Sequence, residues 1–170
     1  LALLNMDQIT IASLNGAAMG GGACIATACD FRVGTPSSFM QYPEIDIGVN
    51  LMWKSLPLLI NLIGPSRSKR MVIGGDRITG DELQAWGVLD KLVSEQELSK
   101  EAQLLAEKYA KKAPIAAQMI KQSTNNIVNA LSNEIMHMDF DQNLFTAQTR
   151  DRSTAIESYL DKTAPNFEGD

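Results

Sequence analysis

Two features of the 170-residue sequence could do chemistry together. One is a run of three glycines, Gly20-Gly21-Gly22; the other is Glu44, which follows Pro43 and sits between apolar Tyr42 and Ile45. Glycines between a buried strand and a helix present backbone N–H groups at the positive end of that helix. Such groups hold a phosphate, or the oxygen of a thioester as it becomes an enolate. The same glycines would also serve tight strand-on-helix packing, and both readings stand on residue types alone. A nucleotide-phosphate loop is not supported, because no Gly-Lys-Ser/Thr follows the run and no GxGxxG is present. A carboxylate among apolar neighbours can lose hydration, which lifts its pKa toward values useful for proton transfer. The alternative for Glu44 is a solvated or backbone-bonded turn residue.

Other reactive types carry less. Cys24 lies in a small-residue stretch beside the glycines with no basic neighbour in sequence, which fits a core filler better than a nucleophile. His137, the sole histidine, is flanked by Met136 and Met138 and fits a surface or packing role. With one histidine, neither a His-rich metal site nor a Ser-His-Asp triad can be assembled beyond that residue. Trp53 and Trp86 read as core residues or interface anchors.

The elements that must position these groups change character along the chain. Ile9 to Leu14 is a β-branched apolar run bounded by Asn15-Gly16, the pattern of a buried strand. The glycines open a helix of small residues, Ala23 to Ala28, followed by a second strand at Phe31-Arg32-Val33 and a third at Phe39-Met40. Strand, Gly-rich turn, helix, strand is a βαβ order, so this part is α/β. From about residue 51 the pattern is helical. Gly64-Pro65 separates a helix around 52–62 from one around 66–73. Thr79 to Glu82 and Ser94 to Glu97 are capping-box patterns, Ala113-Pro114 punctuates, and helices continue to about Asp161. The expected division is a core over 1–90 carrying the Gly-rich site and a helical region over 91–170.

Composition excludes several function classes. The chain is 45% hydrophobic and 21% charged with a net charge of −5, which fits a folded soluble domain and not a disordered segment. Only 15 Lys+Arg against 20 Asp+Glu argue against a nucleic-acid partner. Lys54 and polar positions interrupt the longest apolar stretch, Val49 to Gly64, so no membrane helix is expected. Two cysteines do not make a disulfide framework, and a reducing cytoplasm is the default. Leu1 to Met6 lacks the features of a signal peptide and reads as the last turn of a helix that begins upstream, so preceding sequence is expected.

Ile9 to Ile47 resembles the signature of the enoyl-CoA hydratase/isomerase (crotonase) superfamily. The resemblance is carried by Ile11 to Gly22 (Ile-Ala-Ser-Leu-Asn-Gly-Ala-Ala-Met-Gly-Gly-Gly), by Ala28-Cys29-Asp30-Phe31-Arg32 and by Phe39 to Ile45. Gly64 to Arg67, Gly74 to Ile78 and Ala85 to Asp90 continue it in order, to about residue 167. The resemblance implies an α/β fold, a partial spiral of ββα units followed by an α-helical C-terminal trimerisation region. It implies a homotrimer or dimer of trimers acting on an acyl-CoA thioester, with coenzyme A only as part of the substrate, no separate cofactor and no metal.

The resemblance also assigns roles. One of two backbone donors to the thioester oxygen matches Gly21; the second belongs to a segment before the strand at Ile9, outside these residues. Losing such a donor costs about 10²–10³ in rate. Hydratases of the family hold a water between two glutamates; one matches Glu44, while the position of the other holds Cys24. A lone carboxylate resembles the Δ3,Δ2-enoyl-CoA isomerases instead, in which one base moves a proton from C2 to C4. Met19, Gly20, Cys24 and Trp53 are assigned to the substrate site, with Met52 and Trp53 expected to fill part of the acyl wall. Tyr159 and Lys162 align with an aromatic and a lysine that reach the CoA of a neighbouring subunit; a solvated helix end is an equal alternative. Double-bond isomerisation is the expected reaction, with hydration, or a truncated non-catalytic oligomerisation module, as alternatives.

Overall fold

The computed structural model describes residues 2–132 and 138–170, so His137 lies outside the described residues. The first strand, β1, spans Ile11–Leu14. Its expected start at Ile9 is lost because the Thr10 N–H turns to the Asp30 carboxylate at 2.7 Å. Upstream, Asn5 N–H to Ala2 and Met6 N–H to Leu3 close tight turns over the first described residues.

At Asn15-Gly16 the chain leaves the first sheet and enters a second through β2, Ala17–Met19. No strand was expected there, because Ala-Ala-Met has no β-branched residue; sheet pairing overrides propensity. Helix α1, Gly21–Ala28, returns the chain to β3, Phe31–Gly34, and a turn at Thr35–Ser38 leads to β4, Phe39–Gln41. β1 pairs in parallel with β3, Ile11 opposite Phe31, while β2 pairs in parallel with β4, Met19 opposite Gln41. Two successive strands thus feed two different sheets before each return.

A 3-10 helix over Pro43–Ile47 and then α2, Ser55–Val72, follow. The expected start of α2 at 52 is too early, since Trp53 and Lys54 are left-handed. Gly64, at φ 79 and ψ 167, breaks the helix into the two expected halves, with Pro65 opening the second. β5, Ile78–Thr79, runs antiparallel to β4, and α3, Gly80–Ala85, carries the expected capping box of Thr79 and Glu82. β6, Lys91–Leu92, adds to β3, so the first sheet has the order β1-β3-β6 and the second β2-β4-β5. At Ser94 the expected cap is instead a closed turn: its hydroxyl bonds the Glu97 carboxylate at 3.0 Å, and α4, Leu98–Ala110, starts afterwards without a side-chain cap. Helices α5, Pro114–Asn129, α6, Met138–Thr146, and α7, Arg150–Asp161, complete the described chain.

The main core lies where the second sheet meets α1, α2 and α3, with Met40, Tyr42, Leu59, Met71, Ile78 and Leu83 fully buried. The Tyr42 hydroxyl meets Thr27 Oγ1 at 2.6 Å, so its polar end is satisfied inside. A smaller cluster of Val33, Leu98 and Leu105 seats α4 on the first sheet, with Phe31 and Tyr109 stacked 4.5 Å apart. Lys121 of α5 donates to Gln8 O and to Asp30 Oδ2, both at 2.7 Å, tying that helix to the start of β1 and β3. No helix among the described residues is long and apolar enough to cross a membrane.

Arg32 locks the far end of α1. Its guanidinium, on a residue only 5% exposed, donates to the Ala26 and Cys29 carbonyls at 3.1 and 2.7 Å and to Val88 O at 2.7 Å. A cation over the last carbonyls of a helix also complements its dipole. Arg32→Met leaves those acceptors buried and unpaired. Its expected cost is about 3–5 kcal/mol, read as a loss of denaturation midpoint; an unchanged midpoint would remove Arg32 as the lock.

Candidate active site

With its C-terminal end held, the N-terminus of α1 points at a fixed place. Gly20 is the residue before the first helical turn, at φ 49, a conformation that side chains seldom adopt. Its N–H donates to Gln41 O at 3.0 Å, extending the β2–β4 ladder, and its carbonyl takes the first helical bond from Cys24 N at 3.0 Å. The N–H groups of Gly21, Gly22 and Ala23 therefore have no acceptor within the helix. They form a small positive concavity lined by backbone.

Glu44 stands over this concavity. Pro43 opens the 3-10 helix with a preset φ, and Gly48, left-handed at φ 68, closes it with its N–H on Ile45 O at 3.0 Å. This short turn lays the Glu44 side chain against Gly20: a Cβ at Gly20 would sit 3.1 Å from Glu44 Oε1. Glu44 Oε2 is buried and has no hydrogen-bond partner among the described residues. Burial raises the Glu44 carboxyl above the ordinary value of 4.5. It is thus a carboxyl poised to take or give a proton, with a free oxygen to do so.

Cys24 follows one turn into α1. Its thiol is buried and pushed up to about 11, chiefly by burial and further by the negative charge of Glu44 and Asp139, with Ser55 nearby pulling the other way. It stays protonated at neutral pH, a poor nucleophile and a poor partner for exchanging a water proton. Ser55, the first residue of α2, and Asp139, on α6, were not singled out from the sequence. The signal for Asp139 in the sequence is an acid between apolar Met138 and Phe140. The structure buries it, leaves Oδ2 without a partner among the described residues, and raises its pKa by desolvation.

Trp53 is not a core residue. It is 56% exposed, and its indole lies edge-on against Gly21, where an added Cβ would fall 2.8 Å from Cη2 and 2.9 Å from Cζ3. Both Trp53 (φ 71) and Lys54 (φ 58) are left-handed, which costs roughly 1–2 kcal/mol per residue. The segment before them is anchored to α6: Thr146 Oγ1 accepts from Asn50 N at 2.9 Å, and Asn143 Nδ2 donates to Asn50 O at 2.7 Å. Trp86, in contrast, packs on the main core with Arg67 and Arg70 at 5.1 and 5.3 Å from its ring.

The structure therefore gathers Gly20, Gly21, Cys24, Glu44 and Trp53 at one end of α1. Met19 ends β2 opposite Gln41 and is 44% exposed. Tyr159 and Lys162 lie at the far end of α7, Tyr159 being 73% exposed and Lys162 left-handed at the helix end. The start of α7, at Asp151 and Arg152, is what packs on the 3-10 helix, against Gly48. Beside Cys24 and Trp53 opens a cavity of about 450 Å³, walled by Leu3, Leu4, Ile25 and Leu58. A second cavity of about 640 Å³, between β3 and α5 near Phe31, Tyr109, Ile120 and Lys121, contains none of these site residues. No group of His, Cys, Asp or Glu among the described residues is arranged to hold a metal ion.

The whole chain, residues 1–170, matches the family described as enoyl-CoA hydratase/isomerase. It belongs to that family. It is 28% identical over 162 residues to a crotonyl-CoA hydratase of Syntrophomonas wolfei, covering 95% of this chain and 62% of the relative. It is 31% identical over 161 residues to the 2,3-dehydroadipyl-CoA hydratase of Escherichia coli, covering 94% of this chain and 62% of the relative. The chain thus spans about three-fifths of the length of these curated relatives. Among solved structures, an enoyl-CoA hydratase from Mycobacterium avium subsp. paratuberculosis superposes with a TM-score of 0.91 at 20% identity, over 98% of this chain and 68% of that one. The fold is the crotonase fold, in which the ββα order seen here is followed by the helical C-terminal part.

The state of Cys24 has a direct readout in this hydratase/isomerase family member. At pH 8 about one thiol in a thousand is ionised for a pKa of about 11. Alkylation followed by mass spectrometry should leave Cys24 unmodified at pH 8 and accelerate as the pH approaches 11. Rapid labelling at neutral pH would contradict the buried, protonated thiol.

Proposed function

We propose that this chain carries the proton-transfer site of an acyl-CoA enzyme that moves a double bond along a thioester. The observation that carries the reading is Glu44: a half-buried carboxyl whose buried Oε2 has no partner among the described residues, packed on Gly20 at the open N-terminus of α1. Coenzyme A enters as part of the substrate, and no separate cofactor takes part. The thioester carbonyl oxygen accepts from Gly21 N–H. Glu44, ionised, removes a proton from C2 of a 3-enoyl thioester, and the electron pair spreads through C3=C4 and onto the carbonyl oxygen. The dienolate is held by the backbone donor and the helix dipole. Protonated Glu44 then returns its proton at C4, the C2=C3 bond forms, and the carboxylate is regenerated. Atoms and charge balance with no further reactant.

Cys24 favours this shuttle over hydration. Addition of water across C2=C3 uses two groups that exchange protons with the water and the α-carbon, and a thiol held near 11 does not serve as one of them. The relatives named as hydratases support hydration as the second reading, with another carboxyl supplying the missing acid. A homotrimer or dimer of trimers, with Tyr159 and Lys162 of α7 reaching the CoA bound to a neighbouring copy, is part of the same proposal.

Glu44→Gln tests the base. Turnover of a 3-enoyl-CoA should fall about 10²–10⁴-fold, while acetoacetyl-CoA still binds with the ultraviolet band of its enolate. Because burial raises the Glu44 carboxyl, the acid limb of the wild-type rate profile should rise through a pKa above 4.5 and vanish in Glu44→Gln. Unchanged turnover would remove Glu44 as the base. Hydration faster than isomerisation by the wild-type protein would favour the second reading.

A further inference from the structure

We propose that Trp53 is a movable cover on the anion site, so that a thioester reaches Gly21 only by displacing the indole. The proposal rests on the assignment of Gly21 N–H to the carbonyl oxygen. The six-membered edge of the indole comes so close to Gly21 that an added Cβ would fall 2.8, 2.9 and 3.6 Å from three of its ring atoms. A carbonyl oxygen bonded to that N–H, with the rest of its acyl group, needs the same ground. The ring is more than half exposed and is not locked into the core.

The backbone beneath the ring has the form of a hinge between fixed ends. On one side Asn50 is held to α6 by three hydrogen bonds, from Asn50 N to Thr146 Oγ1, from Asn50 Nδ2 to Gln142 Oε1 and from Asn143 Nδ2 to Asn50 O, at 2.9, 2.8 and 2.7 Å. Leu51 beside it is buried. On the other side Ser55 is buried and begins α2. Between them the consecutive left-handed residues Trp53 and Lys54 are a conformation that L side chains disfavour, so a flip of this pair toward ordinary backbone relieves strain as it carries the indole away. In the closed position the Asp139 carboxylate lies near Lys54, whose backbone and charge lower its pKa against the burial that raises it. Closed and open forms thus exchange the contact with Asp139 for relief of backbone strain, two states whose balance a ligand can shift. The cover makes Trp53 a specificity-determining residue: only acyl groups that seat well enough at Gly21 to hold the open form are accepted.

The test reads Trp53 and the carbonyl site separately. Trp86→Phe leaves Trp53 as the emitting tryptophan, and its emission is followed on titration with butyryl-CoA, while the enolate band of acetoacetyl-CoA reports the carbonyl at Gly21. Trp53→Gly removes the cover and suits the left-handed backbone. The expected results are a saturable change in Trp53 emission, and Trp53→Gly binding acetoacetyl-CoA about three- to tenfold more tightly, as the open form no longer competes with a closed one. A saturable enolate band with unchanged Trp53 emission, or with no tightening in Trp53→Gly, overturns the cover and leaves the Gly21 assignment standing. Absence of the band in both proteins overturns the assignment and the cover with it. Should Trp86→Phe fail to fold, the difference in emission between wild type and Trp53→Gly supplies the same signal.

Discussion

The site depends on two missing side chains. At Gly20 and Gly21 the chain brings a carboxylate and an indole to within contact of the backbone, and any Cβ there would meet Glu44 Oε1 or the ring of Trp53. Gly20 also holds a positive φ that lets β2 turn directly into α1. The absence of a Cβ thus does three things in two residues: it permits the turn, bares the first N–H groups of the helix, and admits the Glu44 carboxylate. Backbone donors at a helix start are already oriented, so they stabilise a developing oxyanion without reorganising.

Everything around α1 works to keep that end still. Arg32 fastens the last carbonyls of the helix to the turn at Val88, and Tyr42 is bonded to Thr27 on the buried face. Asp30, shared by Thr10 and Lys121, ties the strand after the helix to α5. Against this frame stand a few groups left without a partner among the described residues, an oxygen of Glu44 and an oxygen of Asp139, and the left-handed pair at Trp53 and Lys54. A packed protein ordinarily pairs its buried polar atoms. Their concentration around one helix start is what sets the candidate site apart from the surrounding core.

Much of the fold was legible in the sequence, because glycine, proline and capping residues mark boundaries by sterics and hydrogen bonding. Gly64-Pro65 broke the long helix, Thr79 with Glu82 capped α3, and Pro114 began α5, each where the residue chemistry demands it. β2 was hidden because three small or flexible residues become a strand only through pairing with β4. The start of α2 was misplaced because Met52 to Lys54 look helical by type, while their backbone is set by tertiary contacts with Gly21 and α6. Glu44 stood out through its apolar flanks. Asp139 lay far away in sequence, and its burial near Cys24 exists only once α6 docks on the segment after Glu44.

The central claim is that Glu44 exchanges a proton with the carbon next to a thioester carbonyl held at Gly21. Its most direct test is incubation of the protein with butyryl-CoA in heavy water, following deuterium at C2 by nuclear magnetic resonance. Exchange well above the buffer rate, abolished by Glu44→Gln, is the predicted result. Exchange no faster than in buffer, or equally fast after the substitution, would contradict the account.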